Sequence, residues 1–403
     1  MDVKHTDQNQ NLNLRVAHLP ALTWNRLGVN DATVSVDLAG CTPLVTSLSG
    51  HNQPGVSLKT ANISEMKKAL TPFETVKREA VIAGKTAIYA EQHVPTGLGA
   101  EFEAFMDGHA LGQIISFTEK EEGASVIFDT RPKGTDSLHS EEDGSETMTI
   151  ANFNVLSQII EVPEGVTATV IDVIRGANDR KGVAARLVRA RVGQKAKLHL
   201  VRVCLAGEGF TVLDDTGAVL EEDAVFDYTR IVVGTGKCYA GCAVSQQGDR
   251  SAFHFNCGYD LVRQELLEMN DVTIQRGKDT ESTMRLHGVL AGHAQKTFRG
   301  TIDFRSGSAG SVGDQEEDVL LLDDTVINKS MPIILCEEEN VEGRHAASVG
   351  RLSEEILFYL KTRGIDEETA RRLMVAGKIN TAAALISDES VKTAVTEAVN
   401  ALF

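Results

Sequence analysis

Six cysteines, at 41, 204, 238, 242, 257 and 336, are the softest donors in this 403-residue chain. None belongs to a Cys-x-x-Cys pair, so the spacing does not supply the paired ligands of a structural zinc site. Cys238 and Cys242 are four residues apart. On a strand they share a face but stand roughly 13 Å apart at ~3.3 Å per residue, too far to hold one iron together. A bend at Gly234, Gly236 or Gly241 would close that gap. On residue type alone, Cys242 also reads as a small buried apolar side chain, and Cys336, ahead of Glu337, Glu338 and Glu339, as a structural thiol at a strand end. His345 and Glu342 fall in a polar, turn-like stretch, where an imidazole is ordinarily solvated. Acids at Asp314–Asp318 and Glu337–Glu339 are the groups that a carbohydrate-active groove would need. Nucleotide chemistry has no counterpart here. The glycine-rich GTGKCYAG lacks the spacing of a phosphate-binding loop, and neither GxSxG nor HExxH occurs. The chain is therefore expected to be no enzyme.

Net charge is −17, with 57 acids against 40 bases, and no basic stripe offers a nucleic-acid footprint. The densest basic run, RKGVAARLVRAR at 180–191, reads as the solvated face of a strand or turn. No apolar run approaches the roughly 20 residues of a membrane span. The first residues are polar and lack the apolar core of a signal peptide, which predicts a cytoplasmic protein with reduced cysteines.

The elements that must position these groups change character along the chain. Residues 1–105 read as an N-terminal appendage with helical pieces, among them ISEMKKAL at 63–70. Residues 106–345 form a run of short β-branched segments between Gly- and Asp-containing turns, with one helical pattern near Leu261–Met269. Ala168, Ala196, Ala224 and Ala252 stand 28 residues apart, with Thr280 on the next step. Short strands with small residues at the turns, repeated at that period, predict a parallel β-helix, in which each coil buries its inner face only by stacking on its neighbours. Residues 346–403 are helical. Ser353 caps a helix with Ile356, Leu357 and Leu360 on its stripe and Gly364 at its end. Asp366 caps a second helix, which Gly377 ends and on which Ala370, Leu373 and Met374 share a side; a third spans Ser390 to Leu402.

Several of these stretches, in this order, resemble the SufB/SufD family of iron–sulfur cluster assembly proteins. They are Trp24 to Leu27 (WNRL), the G-K-x-T-x-S-T and A-G-H-A-Q-x-x-F-R-G-x-I elements within 275–304, Gln315, Leu320 to Asp323, Pro332, and His345 to Leu360 with its EEILFYL core. The resemblance implies a right-handed parallel β-helix that serves as a scaffold or core subunit for a transient iron–sulfur cluster. It also implies a SufC-type ABC ATPase as partner, pairing with itself or a paralogue near His345, and an association with reduced flavin, for which no motif stands here. It puts Cys242 at the place of the family's mid-helix cysteine and His345 at its interface histidine, with Glu342 and Cys336 as further ligands. Leu352, Glu355, Ile356, Phe358, Tyr359, Leu360, Arg363, Leu373 and Met374 would form the ATPase-docking face. The chain departs from the family at Gly343 and Arg344, where SufD-type chains read Cys-Ser, and at Ala346, where SufB-type chains carry Glu. Those departures leave open a structural, ATPase-anchoring subunit with no cluster of its own.

Overall fold

The computed structural model describes residues 11–20, 23, 25–37, 41–70, 76–82, 85–91, 96–118, 124–139, 148–151, 154–351 and 353–402; Trp24 and Leu352 lie outside them. From Leu111 onward the chain passes alternately between two sheets. The first sheet holds Leu111–Phe117, Val155–Val162, Gly182–Val192, Phe210–Leu220, Lys237–Gln246, Leu266–Gln275, Gln295–Phe304 and Ile327–Cys336, paired in parallel in that order. The second holds Ala124–Pro132, Thr167–Arg175, Lys197–Leu205, Val225–Val233, Ala252–Leu261, Glu281–Leu290, Val312–Leu321 and Glu342–Arg351, likewise parallel. One strand from each sheet makes a coil, and the stacked coils form the expected parallel β-helix. Leu261–Met269, read above as helical, instead enters the strand Leu266–Gln275, because its inner residues Leu267 and Met269 face the shared core at a period of two.

The repeat is real, but its register is carried by the backbone rather than by alanine. At one corner of successive coils, Gly165, Lys195, Asp223, Arg250, Asp279 and Gly310 all take positive φ, between 54° and 81°. Each donates its N–H to the carbonyl before the equivalent residue of the next coil, as Lys195 does to Glu222 and Asp223 to Asp249. The residue that follows is small or short and buried: Val166, Ala196, Ala224, Ser251, Thr280 and Ser311. Ala196, Ala224 and Thr280 therefore are equivalent. Ala168 pairs with Leu198 and Ala252 with Val225, so these two lie two residues and one residue out of phase. Coils of unequal length explain the one-residue shift.

Inside, Phe226, Tyr228, Phe253 and Phe255 stack along the axis with ring centroids 5.2–6.4 Å apart. Each such buried ring contributes about 1.5–3 kcal/mol. The two outer faces are covered by opposite ends of the chain. On the first sheet lie the hairpin Asn11–Val16 and Ala32–Asp37 and two helices, α1 (Ile63–Leu70) and α2 (Ala100–His109), with Leu12, Val16, Leu98 and Phe102 packed on Ala185, Leu213 and Tyr239. The N-terminal region is more than an appendage. Val56–Ala61 adds an antiparallel strand to the first sheet, and Leu44–Ser49 followed by Met148–Ala151 adds two to the second, at that end of the helix. On the second sheet lie α4 (Glu367–Ala383) and α5 (Glu389–Asn400), with α3 (Glu354–Thr362) packed on α4. Ser353, Asp366 and Asp388 cap them by accepting from backbone N–H groups. α4 runs through Gly377 to Ala383, because Val375, Ile379 and Ala382 bury against Ile231 and Val289 and outweigh one glycine's propensity cost.

Candidate functional site

Cys242 lies on the first-sheet strand Lys237–Gln246 and points into the lumen with Cys238, Ala240 and Val244. It is fully buried. Its neighbours on the adjoining strands are Thr216 and Asp271. From the second sheet, Arg230 reaches Asp271, one guanidinium nitrogen donating to both carboxylate oxygens at 2.9 and 3.0 Å. Arg230 Nη2 and Thr216 Oγ1 are buried without a hydrogen-bond partner. Burial pushes the Cys242 thiol well up, Asp271 adds to the rise, and Arg230 opposes it. Chemically, this is a protonated thiol next to a cation with an unused N–H, enclosed by aromatic rings. A thiolate or a bound sulfur anion forming there would find its counter-charge in Arg230.

The strand stays regular at Gly241, so Cys238 and Cys242 remain four residues apart on one face. Cys238 instead neighbours Cys204 of the second sheet, which with burial pushes its thiol well up, while the Cys204 thiol lies 3.3 Å from the Thr235 hydroxyl. Cys257 lies on the second sheet, also inside the lumen, and its thiol is pushed up to about 12 by burial. The basic run is divided: Lys181 and Arg191 are exposed, whereas Arg186 and Arg189 are buried. Arg186 is buried beside Asp172 at 3.6 Å, and Arg189 pairs with Glu103 of α2 at 3.0 Å. Core on one side and a helix on the other leave these two arginines no access to water, while Arg191 near the strand end keeps it.

The far end of the helix is open. Glu342, Gly343, Arg344 and His345, read above as a turn, begin the last strand, Glu342–Arg351, which is exposed along its whole length. Pairing puts His345 beside Gln315, on the row that faces inward in earlier coils. Cys336 pairs with Phe304 and ends the inner row of the last first-sheet strand, its thiol 3.0 Å from the Glu338 carbonyl. His345 and Cys336 thus share the inner row of the terminal coil. Glu342 does not join them, because the strand alternates. It lies on the outer row, tied to Arg344 at 2.8 Å, and that contact lowers its carboxyl. Cys242 sits three first-sheet strands deeper than Cys336, about 14 Å at ~4.8 Å per strand. No group of three or more metal-ligating side chains occurs among the described residues. Alternation likewise splits the acids at 314–318. Asp314 and Glu316 bond Arg285 outside, whereas Glu317 pairs with Lys296 in the lumen. They line no common groove.

At the helical end, α3 buries none of its residues. Ile356, Phe358, Tyr359, Leu373 and Leu385 are the exposed large hydrophobics there among the described residues, with Phe358 70% exposed. Glu355 and Arg363 are exposed beside them, Arg363 lying 5.3 Å from the Tyr359 ring, and Leu360 is half-buried. The stripe proposed on α4 divides: Ala370 is buried and Met374 packs on the second sheet, while Leu373 points to solvent. Between α3, α4 and the turn after Leu321 runs a cleft of about 850 Å³ lined by Asp323, Arg351, Phe358 and Lys361.

Arg230 and Asp271 escaped the sequence reading. One coil on from Cys242 is Asp271, and one coil back from Cys257 is Arg230, so the true register would have found both.

Residues 146–378, more than half of the chain, match the family described as SUF system FeS cluster assembly, SufBD core domain. The iron–sulfur cluster assembly protein SufD of Bacillus subtilis is 28% identical over 231 residues, 56% of this chain and 45% of that protein. The SufBD family protein ABCI8, chloroplastic, of Arabidopsis thaliana is 24% identical over 54% of this chain and 39% of its own length. SufD of Escherichia coli is 21% identical over 58% and 55%. The matches span about half the length of these relatives. The SufBD core match falls on the coils that enclose Cys242 and run on through His345 to α4, and the chain belongs to the SufBD family of the iron–sulfur cluster assembly system.

Proposed function

We propose that this chain is a non-catalytic core subunit on which iron–sulfur clusters are assembled in the cytoplasm. In this reading it pairs through its open terminal coil with a second β-helix subunit, a copy of itself or a paralogue. A SufC-type ABC ATPase docks on α3 and α4. The observation that carries the reading is the open end. Two sheet edges with unpaired backbone groups, and an inner row on which Val349 is exposed and Ile334 only half-buried, are what a partner with the same edges would cover. His345 and Cys336 would then lie at the joint and supply imidazole and thiolate to iron, the cargo of the assembly. Cys242 would take part only after the lumen opens, since burial holds its thiol protonated. The exposed Ile356, Phe358, Tyr359 and Leu373 would be the ATPase contact.

The test is anaerobic reconstitution with iron and sulfide, with and without the ATPase, for wild type, Cys242→Ala, Cys336→Ala and His345→Ala. Charge-transfer absorption present in wild type and lost in a variant supports ligation by that residue. Absorption unchanged in all three, with the ATPase still co-eluting, makes this the anchoring subunit with no cluster of its own, a role that the burial of Cys242 also fits. Loss of ATPase association altogether removes the docking assignment. Repeating the assay with reduced flavin tests the second cofactor that the resemblance implies.

A further inference from the structure

The outer side of the Cys242 strand is covered at one place by bare backbone. A Cβ on Gly97 would lie 2.1 Å from Cys242 N and 2.4 Å from Asn270 O, and one on Gly241 would lie 2.5 Å from Leu98 N. Glycine stands on both sides because nothing larger fits. Polar contacts fasten the same spot. The N–H groups of Gly97 and Leu98 donate to the two oxygens of the fully buried Asp215, at 2.8 and 3.0 Å. Asn270 Nδ2 donates to the Gly97 carbonyl at 2.6 Å. Asp215, Gly241 and Asn270 are in register on three adjacent strands, so the segment lies across the strand that bears Cys242. Its ends are tied elsewhere. Leu98 accepts from Ala17 of the first hairpin at 3.1 Å, and Thr96 Oγ1 donates to Glu103 of α2 at 2.7 Å.

We propose that Thr96–Leu98 is a strap that positions the Cys242 strand and keeps its thiol enclosed, and that lifting the strap makes Cys242 reachable. This inference rests on the reading that Cys242 serves the assembly. Strands that lose their outer cover open locally before the molecule unfolds. Here the lost cover would leave Asp215 buried with two acceptor positions vacated, next to a glycine with no side chain to pack. The opening would therefore concentrate on Gly241 and Cys242. Cys204 and Cys257, on the second sheet, would keep their protection.

The test is the rate of N-ethylmaleimide modification at each cysteine of the full chain under native conditions, mapped by peptide mass spectrometry. Gly97→Ala drives a methyl into the Cys242 backbone, and Asp215→Ala removes the acceptor; either is expected to speed Cys242 modification about tenfold or more, with Cys204 and Cys257 unchanged. An unchanged Cys242 rate in both variants overturns the strap. So does a rise of the same factor at all three cysteines, which reports general loosening. The readout needs no iron, sulfide or partner. It therefore separates failure of the strap from failure of Cys242 as a ligand, which the reconstitution assay decides.

Discussion

Asp260 lies on the second sheet beneath the C-terminal helices, paired in register with Val233 and Val289, and both of its carboxyl oxygens lack a hydrogen-bond partner. Burial pushes its pKa up to about 8, with Glu265 adding to the rise. An unfolded Asp titrates near 3.9, so between about pH 4 and pH 8 the folded chain holds a proton that the unfolded chain has released. Folding stability must fall as pH rises through that window, by at most about 1.4 kcal/mol per unit from this group, and level off above it. Asp260→Asn removes the dependence. Urea midpoints at pH 5, 7 and 9 should show the variant gaining on wild type up to about pH 8; a constant difference would contradict the assignment. The Cys242 environment follows the same logic. A lone thiol in the sequence says nothing about its charge state, which its burial decides first, with Asp271 adding to the rise and Arg230 opposing it.

At the scale of elements, the corner of each coil sets the repeat. Four of the six left-handed corner residues are not glycine: Lys195, Asp223, Arg250 and Asp279. Each bears the steric cost of that conformation, on the order of 1 kcal/mol. Arg250 and Asp223 are bound to each other at 2.7 Å, whereas the Lys195 side chain is exposed. Lys195→Gly should therefore stabilise the chain by up to about 1 kcal/mol, and Gly165→Ala should cost about as much, both read from thermal or urea unfolding. A loss of stability in Lys195→Gly would mean that its side chain holds the corner in a way the backbone does not reveal. The alanine period was legible because small residues follow the corners. Its drift at Ala168 and Ala252 was not, because coil length is decided by hydrogen bonding between strands distant in sequence.

For the molecule as a whole, the two ends of the β-helix are treated differently. The N-terminal end is extended by antiparallel strands, and the C-terminal end stops at the edges of two parallel strands, one of them exposed along its whole length. An exposed edge with apolar residues invites pairing. Val349→Glu and Ile334→Glu, which put charge on that inner row, should shift any self-association or pairing with a paralogue toward the monomer by tenfold or more in Kd, about 1.4 kcal/mol, measured by sedimentation. Unchanged association would move the interface elsewhere.

By itself, the sequence determined the β-helix and the helical end, since strand alternation, turn residues and caps are local signals that survive without tertiary context. Helix α1 at Ile63–Leu70 and the Ser353 cap stand where those signals put them. It also carried the family, through short stretches whose order matters more than any one of them. Tertiary structure alone decided which face each donor occupies. A one-residue alternation sends His345 to the inner row and Glu342 to the outer, and stacking buries Arg186 against Asp172 inside and Arg189 against Glu103 under α2. Those outcomes depend on register between strands about 30 residues apart, and on helices from the other end of the chain that cover the outer faces.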